Sequence, residues 1–439
     1  MEQAEINEAG LLIRPWRPTD ADAVYRACQD PDIQRWTAVP TPYLPEHAAG
    51  FVTEVSRRAW RDATGAPFAI CDPDTGELLG SCGLVSIDNV RRSAEIGYWT
   101  APWARGRGVA GRATLAVSRW AFDALGLRRI IWQAALGNHA SRLVALRAGF
   151  RVEGRLRLAE PHQPGSPDGW VGSLLPSDLA DLADRPDQAD RPDQADRADR
   201  ADQADQADPI DGSARGGAMT GERGRRAGPG SVEARHAAIF GRPQPVLFAS
   251  TPASRHLAGQ EIRLRQPEQR DVPAIVVACQ DPEITRWTTV PVPYLPRHAE
   301  HFVQTYAPMR WAGGDGAVFT VAADDDGYAG TVELRLKPDD QTVGDVGYLI
   351  APSARGRGYG TAALAALCAW GCTSLGLARI EWRAQVGNVA SRRTAERAGF
   401  IAEGTARNGL SRRGTRVDAW FGAFIPGSAQ IGDGGRIGG

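Results

Sequence analysis

The chain has 439 residues, 42% of them hydrophobic and 23% charged, and its formal net charge at pH 7 is -1. This length corresponds to about three domain-sized pieces at roughly 150 residues each, and the composition is that of a globular protein. The balanced charge gives no general electrostatic reason to expect nucleic acid or an anionic membrane as a partner. We therefore expect a chain of more than one domain that binds neither.

The first residues and the cysteines indicate a cellular setting. The chain begins with the acidic stretch MEQAEINEAG, which lacks the basic and apolar regions of a secretory signal, and it contains no run of 18 apolar residues. The six cysteines form no C-x-x-C pair, so their spacing predicts neither a metal site nor a disulfide framework. These features predict a cytoplasmic protein with reduced thiols.

The chain contains the same domain twice. QDPDIQRWTAVPTPYLPEHA, which begins at Gln29, matches QDPEITRWTTVPVPYLPRHA, which begins 251 residues later at Gln280. GYWTAPWARGRG, which begins at Gly97, matches GYLIAPSARGRG, which begins only 250 residues later at Gly347. One residue is therefore missing from the second copy, and we place the loss in the turn CDPDTGELLG, which aligns with AADDDGYAG. A repeat of this length is a whole domain, because solenoid repeats run at about 20 to 50 residues.

Between the copies the composition changes abruptly. The stretch ADRPDQADRPDQADRADRADQADQAD has no apolar residue larger than alanine, and its period fits neither a heptad nor an α-helix. The basic, glycine-rich stretch GSARGGAMTGERGRRAGPG follows it, and we interpret this as more linker rather than as a nucleic-acid arm. We predict domains at 11–177 and 259–426, a disordered linker at 178–258 and a disordered tail at 427–439.

The predicted elements follow the same order in both copies. LLIRPW from Leu11 and EIRLRQP from Glu261 are typical of an opening strand, and DADAVYRACQ and DVPAIVVACQ are typical of amphipathic helices. Two central strands follow around a turn, FAI with LLGSCGLVSI in the first copy and VFTVAA with AGTVELRL in the second. The next strand, AEIGYWTA or GDVGYLIA, ends at a proline.

An arginine-glycine loop comes next, ARGRGVAG in the first copy and ARGRGYGT in the second. An apolar helix follows it to Leu125 or Leu375, then a fifth strand, RIIWQAAL or RIEWRAQV, and a short helix, NHASRLVALRAG or NVASRRTAERAG. The predicted fold class is α/β in the broad sense that includes α+β folds. Each copy is expected to have a mixed, mostly antiparallel sheet flanked by helices.

The arginine-glycine loop indicates an anion site. Its glycines allow several backbone N–H groups to point at one spot, and the helix that follows adds the positive end of its dipole. The alternative is a turn that needs glycine only for its backbone geometry. The cofactor-binding candidates are Arg105, Gly106, Arg107, Gly108 and Ala110 in the first copy, and Arg355, Gly356, Arg357, Gly358 and Gly360 in the second.

At this loop the sequence resembles the GNAT N-acetyltransferase superfamily, whose acyl-CoA loop reads [QR]-x-x-G-x-[GA]. The motifs DP-x-I-x-RW, AEIGYW, GN-x-x-S and AGF-x-x-EG are further similar to the RimJ/RimL-type branch, which acetylates ribosomal-protein N-termini. The resemblance covers about residues 11 to 177 and 260 to 426. It implies two tandem GNAT-like folds that use acetyl-CoA as co-substrate and no metal, with Tyr98 and Tyr348 among the cofactor-binding residues.

Acetyl transfer to an amine requires a neutral nucleophile and a proton for the leaving thiolate. An α-amine with a pKa of roughly 8 is only about one-tenth neutral at pH 7, so a base assists. Glu95, just ahead of the first loop, is our candidate base, and a salt-bridged strand residue is the alternative. The second copy has Asp345 at this place, one methylene shorter, and Glu333 is a weaker candidate there.

Two further sets of residues are candidates. Asparagine and serine lie three apart at the start of a short helix, which is typical of an N-cap pair. The resemblance instead implies that the asparagine binds the pantetheine arm and that the serine donates a proton to the CoA thiol. It assigns an aspartate and a tryptophan after the first helix to the acceptor side, although loop tryptophans more often serve packing. The residues are Asn138, Ser141, Asn388 and Ser391, and then Asp30, Trp36, Asp281 and Trp287.

These features predict an N-acetyltransferase that acts by direct transfer in a ternary complex, because no cysteine or serine stands in a nucleophile-base arrangement. The expected acceptor is a protein N-terminus, and the alternative is a small amine such as an antibiotic or polyamine. One copy could instead hold acetyl-CoA as a scaffold without turnover, a role that suits the second copy better because of Asp345. The family tendency to self-associate predicts an intramolecular pseudo-dimer of the two copies.

Overall fold

The computed structural model describes residues 1–158, 168–183, 231–251, 260–323, 326–338 and 340–427. The chain divides into two compact units, Met1–Gly217 and Ala218–Gly439, and each contains one copy of the repeat. The helix N-termini follow from the sequence. Asp30 and Asp281, for example, cap short helices whose first residue is proline, and proline is favoured at that position.

The first unit is built from eight described strands and seven described helices. The strands are β1 (Ile6–Glu8), β2 (Leu11–Pro15), β3 (Ala66–Cys71), β4 (Leu78–Asp88), β5 (Ser93–Thr100), β6 (Arg129–Ala135), β7 (Arg151–Leu156) and β8 (Gly169–Leu174). The helices are α1 (Ala21–Ala27), α2 (Pro31–Trp36), α3 (Pro45–Gly50), α4 (Ser56–Arg61), α5 (Val109–Leu125), α6 (His139–Arg147) and α7 (Pro176–Ala183). A π-helical turn, Phe51–Val55, joins α3 to α4.

The second unit repeats this order after one added helix, except that no helix corresponding to α7 follows its last strand within the described residues. Its described strands are β9 (Leu247–Ser250), β10 (Glu261–Arg265), β11 (Gly316–Ala322), β12 (Tyr328–Leu336), β13 (Val343–Ile350), β14 (Arg379–Gln385), β15 (Ile401–Arg412) and β16 (Thr415–Phe424). Its described helices are α8 (Val232–Phe240), α9 (Val272–Cys279), α10 (Pro282–Trp287), α11 (Pro296–His301), α12 (Ala307–Ala312), α13 (Tyr359–Trp370) and α14 (Val389–Arg397). Two π-helical turns, Phe302–Tyr306 and Gly371–Leu375, extend α11 and α13.

Each unit has one mixed sheet, as predicted. The strand order is β1-β2-β3-β4-β5-β6-β8-β7 in the first unit and β9-β10-β11-β12-β13-β14-β16-β15 in the second. The described pairs are antiparallel except β5 with β6 and β13 with β14. Alternate residues of the central strands face opposite ways. Ala94, Ile96 and Tyr98 pack with the core under α5, whereas Trp99 packs with the core under α1.

The missing residue lies where the sequence predicts it. Cys71 pairs with Leu78 across the first turn, and Ala322 pairs with Tyr328 across the second. Six residues separate the first pair and five separate the second, so the prediction is confirmed.

The predicted domain boundaries need correction. β1 pairs with β2 although it begins before residue 11, and α7 continues past residue 177. α8 and β9 fall inside the predicted linker, and β9 pairs with β10. The predicted start of the second domain at residue 259 is therefore too late. Residues 184–230 and 252–259 of the predicted linker, and 428–439 of the predicted tail, lie outside the described residues.

The added helix α8 is held by specific contacts. The Phe240 ring lies edge-on to Trp311 with ring centroids 4.8 Å apart, and Trp311 Nε1 donates to the Arg242 carbonyl at 2.7 Å. The buried His236 ring makes hydrogen bonds to the Gln341 side chain and the Leu375 carbonyl. The residues on either side of α8 are rich in glycine and proline. This composition is typical of a linker, so sequence reasoning missed a short helix that buries two aromatic rings.

Candidate active site

In each unit a wedge opens between the two parallel strands of the sheet. β5 and β6 pair in parallel only from Ser93 with Arg129 to Glu95 with Ile131, although both strands continue for several residues. β13 and β14 pair only from Val343 with Arg379 to Asp345 with Glu381. Strands that separate leave backbone groups and side chains accessible at the opening, so this wedge is a place for an extended ligand.

The arginine-glycine loop lies between β5 and α5 and between β13 and α13. Gly106 and Gly108 have φ of +75° and +67°, and Gly356 and Gly358 have φ of +78° and +80°. Gly108 and Gly358 are the N-cap residues of α5 and α13. A Cβ added to Gly106 or Gly108 would meet no heavy atom of the described chain within 4 Å, so space in front of the loop is open. Left-handed backbone, open space and a helix N-terminus together fit a diphosphate.

The first arginine of each loop is paired with an aspartate. Arg105 Nη2 lies 2.5 Å from Asp30 Oδ1, and Arg105 Nη1 lies 3.4 Å from Asp32. Arg355 Nη2 lies 2.8 Å from Asp281 Oδ1. Burial alone would raise the pKa of Asp30, but the hydrogen bond and charge of Arg105 hold it below its usual value. The sequence assigned both aspartates to the acceptor side, whereas the structure places their carboxylates against the loop.

The helix that each aspartate caps also reaches the turn that precedes α6 or α14. A Cβ on Gly137 would lie 3.6 Å from Trp36 Cη2, and a Cβ on Gly387 would lie 3.6 Å from Trp287 Cη2. Gly137 and Gly387 immediately precede Asn138 and Asn388. Helices α2 and α10 therefore connect the arginine-glycine loop to the turn that begins α6 or α14.

Ser141 is the centre of a hydrogen-bonded cluster. Tyr98 Oη donates to the Ser141 carbonyl at 2.9 Å and lies 3.1 Å from Ser141 Oγ, and Trp132 Nε1 donates to Ser141 Oγ at 3.0 Å. Asn138 Oδ1 accepts from the Ser141 N–H at 3.0 Å, which is the predicted N-cap contact. Burial raises the pKa of Tyr98 well above its ordinary value, so its hydroxyl stays protonated.

The second unit has the same cluster. Tyr348 Oη donates to the Ser391 carbonyl at 2.7 Å, Trp382 Nε1 donates to Ser391 Oγ at 3.1 Å, and Asn388 Oδ1 accepts from the Ser391 N–H at 3.1 Å. Burial raises the pKa of Tyr348 to about 12. Sequence reasoning missed both tryptophans, because a tryptophan on an apolar strand is typical of the core. Their repetition in RIIWQAAL and RIEWRAQV was the available signal.

Glu95 lies at the point where the wedge begins. It forms the last parallel pair with Ile131, and across the other edge of β5 it pairs with Ser86. The register of β4 shifts between Leu84 and Ser86, so Val85 forms a β-bulge beside Glu95. Bulges interrupt the hydrogen-bond ladder and often adjoin active sites.

The corresponding aspartate in the second unit is engaged by an arginine. Arg335 Nε lies 3.3 and 3.2 Å from the two carboxylate oxygens of Asp345, and Arg335 Nη2 also donates to Asp345. Glu333, the weaker candidate base, accepts from Arg335 Nη1 at 3.1 Å and from Tyr306 Oη at 2.5 Å. Both candidate bases of the second unit, Asp345 and Glu333, are therefore bound by Arg335.

Two other kinds of feature are absent from the part of the chain that the structure describes. Among the described residues, no group of three or more His, Cys, Asp or Glu side chains could hold a metal ion. Within the same described ranges, no helix is long and apolar enough to cross a membrane.

Comparisons with known proteins agree with this geometry. The model of the acetyltransferase (GNAT) domain family matches residues 10–151 and 261–401, which together make up more than half of the chain. YdaF of Bacillus subtilis, provisionally named a ribosomal N-acetyltransferase, is 39% identical over 101 residues, or 23% of this chain and 54% of that protein. The Escherichia coli ribosomal-protein-serine acetyltransferase is 36% identical over 84 residues, or 19% of this chain and 47% of that protein. The chain thus spans about half the length of these two relatives.

A longer match and a solved structure complete the comparison. YoaA of Bacillus subtilis, an uncharacterized N-acetyltransferase, is 29% identical over 157 residues, or 36% of this chain and 88% of that protein. The structure of Mycobacterium smegmatis RimJ in complex with CoA-disulfide is 26% identical and covers 40% of this chain and 88% of that one, with a TM-score of 0.36. The two family matches confirm the predicted fold and the predicted class of enzyme. The chain belongs to the GNAT acetyltransferase family, whose domain it carries twice.

Proposed function

We propose that this chain transfers an acetyl group from acetyl-CoA to the α-amine of a protein N-terminus. One observation carries the proposal: the open arginine-glycine loop, the wedge and the serine cluster occur together, with the same hydrogen bonds, in both units. The acceptor is supported by the names of two relatives, YdaF and the Escherichia coli enzyme, which refer to ribosomal substrates.

The loop and the wedge would hold the co-substrate. Acetyl-CoA supplies an activated acetyl thioester. The backbone N–H groups of residues 106–110, at the N-terminus of the 17-residue helix α5, would bind its diphosphate. The wedge is lined by Tyr98 and by the turn at Asn138, and both are proposed to contact the pantetheine arm. Gly356, Gly358, Tyr348 and Asn388 would do the same in the second unit.

Glu95 and Ser141 have complementary proposed roles. Glu95 would take a proton from the acceptor amine, because most of an amine with a pKa of roughly 8 is charged at pH 7. Ser141 would give a proton to the departing sulfur and regain one from solvent, while Tyr98 and Trp132 hold its hydroxyl in place through hydrogen bonds. Glu95 would release the proton of the amine to solvent, so one proton leaves the site and one enters it in each turnover.

Transfer would be direct, without an acetyl-enzyme. Cys82 lies opposite Tyr98 on β4, but its thiol is fully buried and burial raises its pKa to about 12. A thiol in that state is a poor nucleophile at neutral pH.

Two structural expectations remain proposals. We propose that residues 184–230 form the linker between the two enzyme domains, and that the two copies associate as a pseudo-dimer. Separately expressed halves, Met1–Gly217 and Ala218–Gly439, would then form a heterodimer in sedimentation experiments. Halves that remain monomeric together would contradict the association.

The acceptor proposal is tested with a panel of amines. Free-thiol release is followed with acetyl-CoA and peptides that begin with Ser, Ala or Met, with the same peptides blocked at the N-terminus but carrying an internal lysine, and with polyamines. We expect release with some unblocked peptides and none with their blocked forms. Release with polyamines alone would show a small-molecule enzyme, and release with the blocked peptides would show a lysine acceptor.

A further inference from the structure

The two units differ on one face of the sheet, the face that carries Glu95 or Asp345. In the first unit Leu84 pairs with Ile96 and Ser86 with Glu95, and Val85 bulges between them. In the second unit Leu334 pairs with Val346 and Arg335 with Asp345, and the described pairs of β12 and β13 show no register shift. Arg335, which stands 250 residues after Val85, therefore takes the pairing position of Ser86, and the bulge is lost.

Further changes surround this substitution. Glu333 stands where the first unit has Gly83, since both pair with the glycine two residues after the candidate base. Tyr306 ends its π-helical turn where Val55 ends the corresponding one. A glycine and two aliphatic residues are thus replaced by three polar residues that bind one another. Tyr306 donates to Glu333, Arg335 donates to Glu333, and Arg335 donates to Asp345.

This network is partly shielded from water. The exposed fractions of the side chains are 14% for Glu333, 33% for Arg335 and 31% for Asp345. Burial alone would lower the pKa of Arg335, but the hydrogen bond to Asp345 and the charges of both carboxylates raise it. A guanidinium that binds both carboxylate oxygens leaves few lone pairs for an incoming amine, and its positive charge repels an ammonium group.

The residues proposed to bind the co-substrate have the same geometry in both units. Gly356 and Gly358 keep the left-handed backbone of Gly106 and Gly108, and the cluster around Ser391 repeats the one around Ser141. The second unit therefore keeps the features that would bind the co-substrate, whereas its candidate base, Asp345, is bound by Arg335.

We propose that Arg335 withdraws Asp345 from proton transfer, so that the second unit binds acetyl-CoA but does not acetylate the acceptor of the first unit. This inference rests on the proposed function for its turnover readout. Arg335 is a positioning residue here, because it acts through Asp345.

The test uses the full-length chain with the first loop disabled by Arg105→Ala and Gly108→Trp. Calorimetry should then show one acetyl-CoA bound per chain, and thiol release should be at least about 100-fold slower than in the chain disabled at Arg355 and Gly358, given the usual contribution of a general base. Adding Arg335→Ser should raise thiol release about 10-fold or more. Arg270→Ser is the matched control, because Arg270 also contacts two carboxylates, those of Glu268 and Asp326, but lies outside the network; it should change nothing.

A second readout needs no acceptor. Carbodiimide-driven coupling of glycinamide to Asp345, followed by peptide mass spectrometry, should increase several-fold in Arg335→Ser and stay constant in Arg270→Ser. Equal thiol release from the two disabled chains would overturn the proposal, and so would an Arg335→Ser variant that gains neither turnover nor coupling. If wild-type protein acetylates nothing, the proposed function fails, and the coupling result still decides whether Arg335 restrains Asp345.

Discussion

Tyr98 and Ser141 are hydrogen-bonded across the wedge: Tyr98 Oη donates to the Ser141 carbonyl at 2.9 Å and lies 3.1 Å from Ser141 Oγ. Trp132 Nε1 can only donate, so Ser141 Oγ accepts from it and keeps its own proton for donation. The serine hydroxyl is therefore oriented before any ligand binds. The same arrangement at Tyr348 and Ser391 shows that it belongs to the repeated domain.

Removing the Ser141 hydroxyl should affect turnover more than the binding of acetyl-CoA. Ser141→Ala is expected to lower kcat by about 100-fold, within the usual range for acid-base groups, and to change the acetyl-CoA Kd by less than about 3-fold. Tyr98→Phe should give a smaller loss, because Ser141 keeps its own proton. Stopped-flow thiol release and calorimetry measure the two quantities. A Ser141→Ala variant with normal kcat would show that Ser141 only caps α6.

Replacing the proposed base should make activity depend more steeply on pH. In Glu95→Gln the amine must lose its proton to solvent, so kcat should fall by about 100-fold or more at pH 7. The deficit should shrink as pH rises past roughly 8, where the α-amine becomes neutral by itself. A pH-rate profile of thiol release provides the test. A deficit that stays constant from pH 7 to 10 would argue against proton abstraction by Glu95.

The aspartate that holds each loop arginine should compete with the diphosphate of acetyl-CoA. Asp30→Asn keeps an N-cap for α2 but removes the negative charge that is paired with Arg105, so acetyl-CoA should bind the first unit about 2- to 5-fold more tightly at low salt, the effect expected of a partly exposed ion pair. Asp62→Asn, which breaks the exposed pair with Arg61, is the control. Weaker binding would instead show that Asp30 positions the arginine for the ligand.

Glu381 should make the second unit sensitive to acid. Burial alone would raise the pKa of Glu381, but Arg383, Lys337 and Arg379 lower it from 4.5 to about 2. A lowered folded-state pKa stabilises the fold above pH 4.5, and this contribution, at most about 3 kcal/mol, is lost as pH falls toward 2. Glu381→Gln should therefore be less stable than wild type at pH 7 and closer to it at pH 3, by urea unfolding. Equal differences at the two pH values, or the same result from the exposed Glu300→Gln control, would contradict this account.

Much of the fold follows from local sequence. The glycines of the loop, the proline-led helices and the alternating strands have local physical causes, and the internal repeat located the shortened turn. The contacts that sequence reasoning missed depend on register and tertiary packing. Asp30 reaches Arg105 only because α2 lies beside the loop, Trp132 reaches Ser141 from another element, and the bulge at Val85 is visible only once β4 pairs with β5.

The added helix α8 shows a different limit. Its nine residues lie between stretches whose composition is typical of a linker, and a window long enough to measure composition averages over them. What orders the segment is the burial of Phe240 against Trp311, a contact between residues 71 positions apart.

The measurement that tests the central claim most directly is calorimetric titration of acetyl-CoA into the intact chain and into two variants, Arg105→Ala with Gly108→Trp and Arg355→Ala with Gly358→Trp. The account predicts two binding events in the intact chain and the loss of one event in each variant, because each loop presents left-handed glycines and a helix N-terminus to open space. A single event in the intact chain, or events that survive both sets of substitutions, would contradict two acetyl-CoA sites built on these loops.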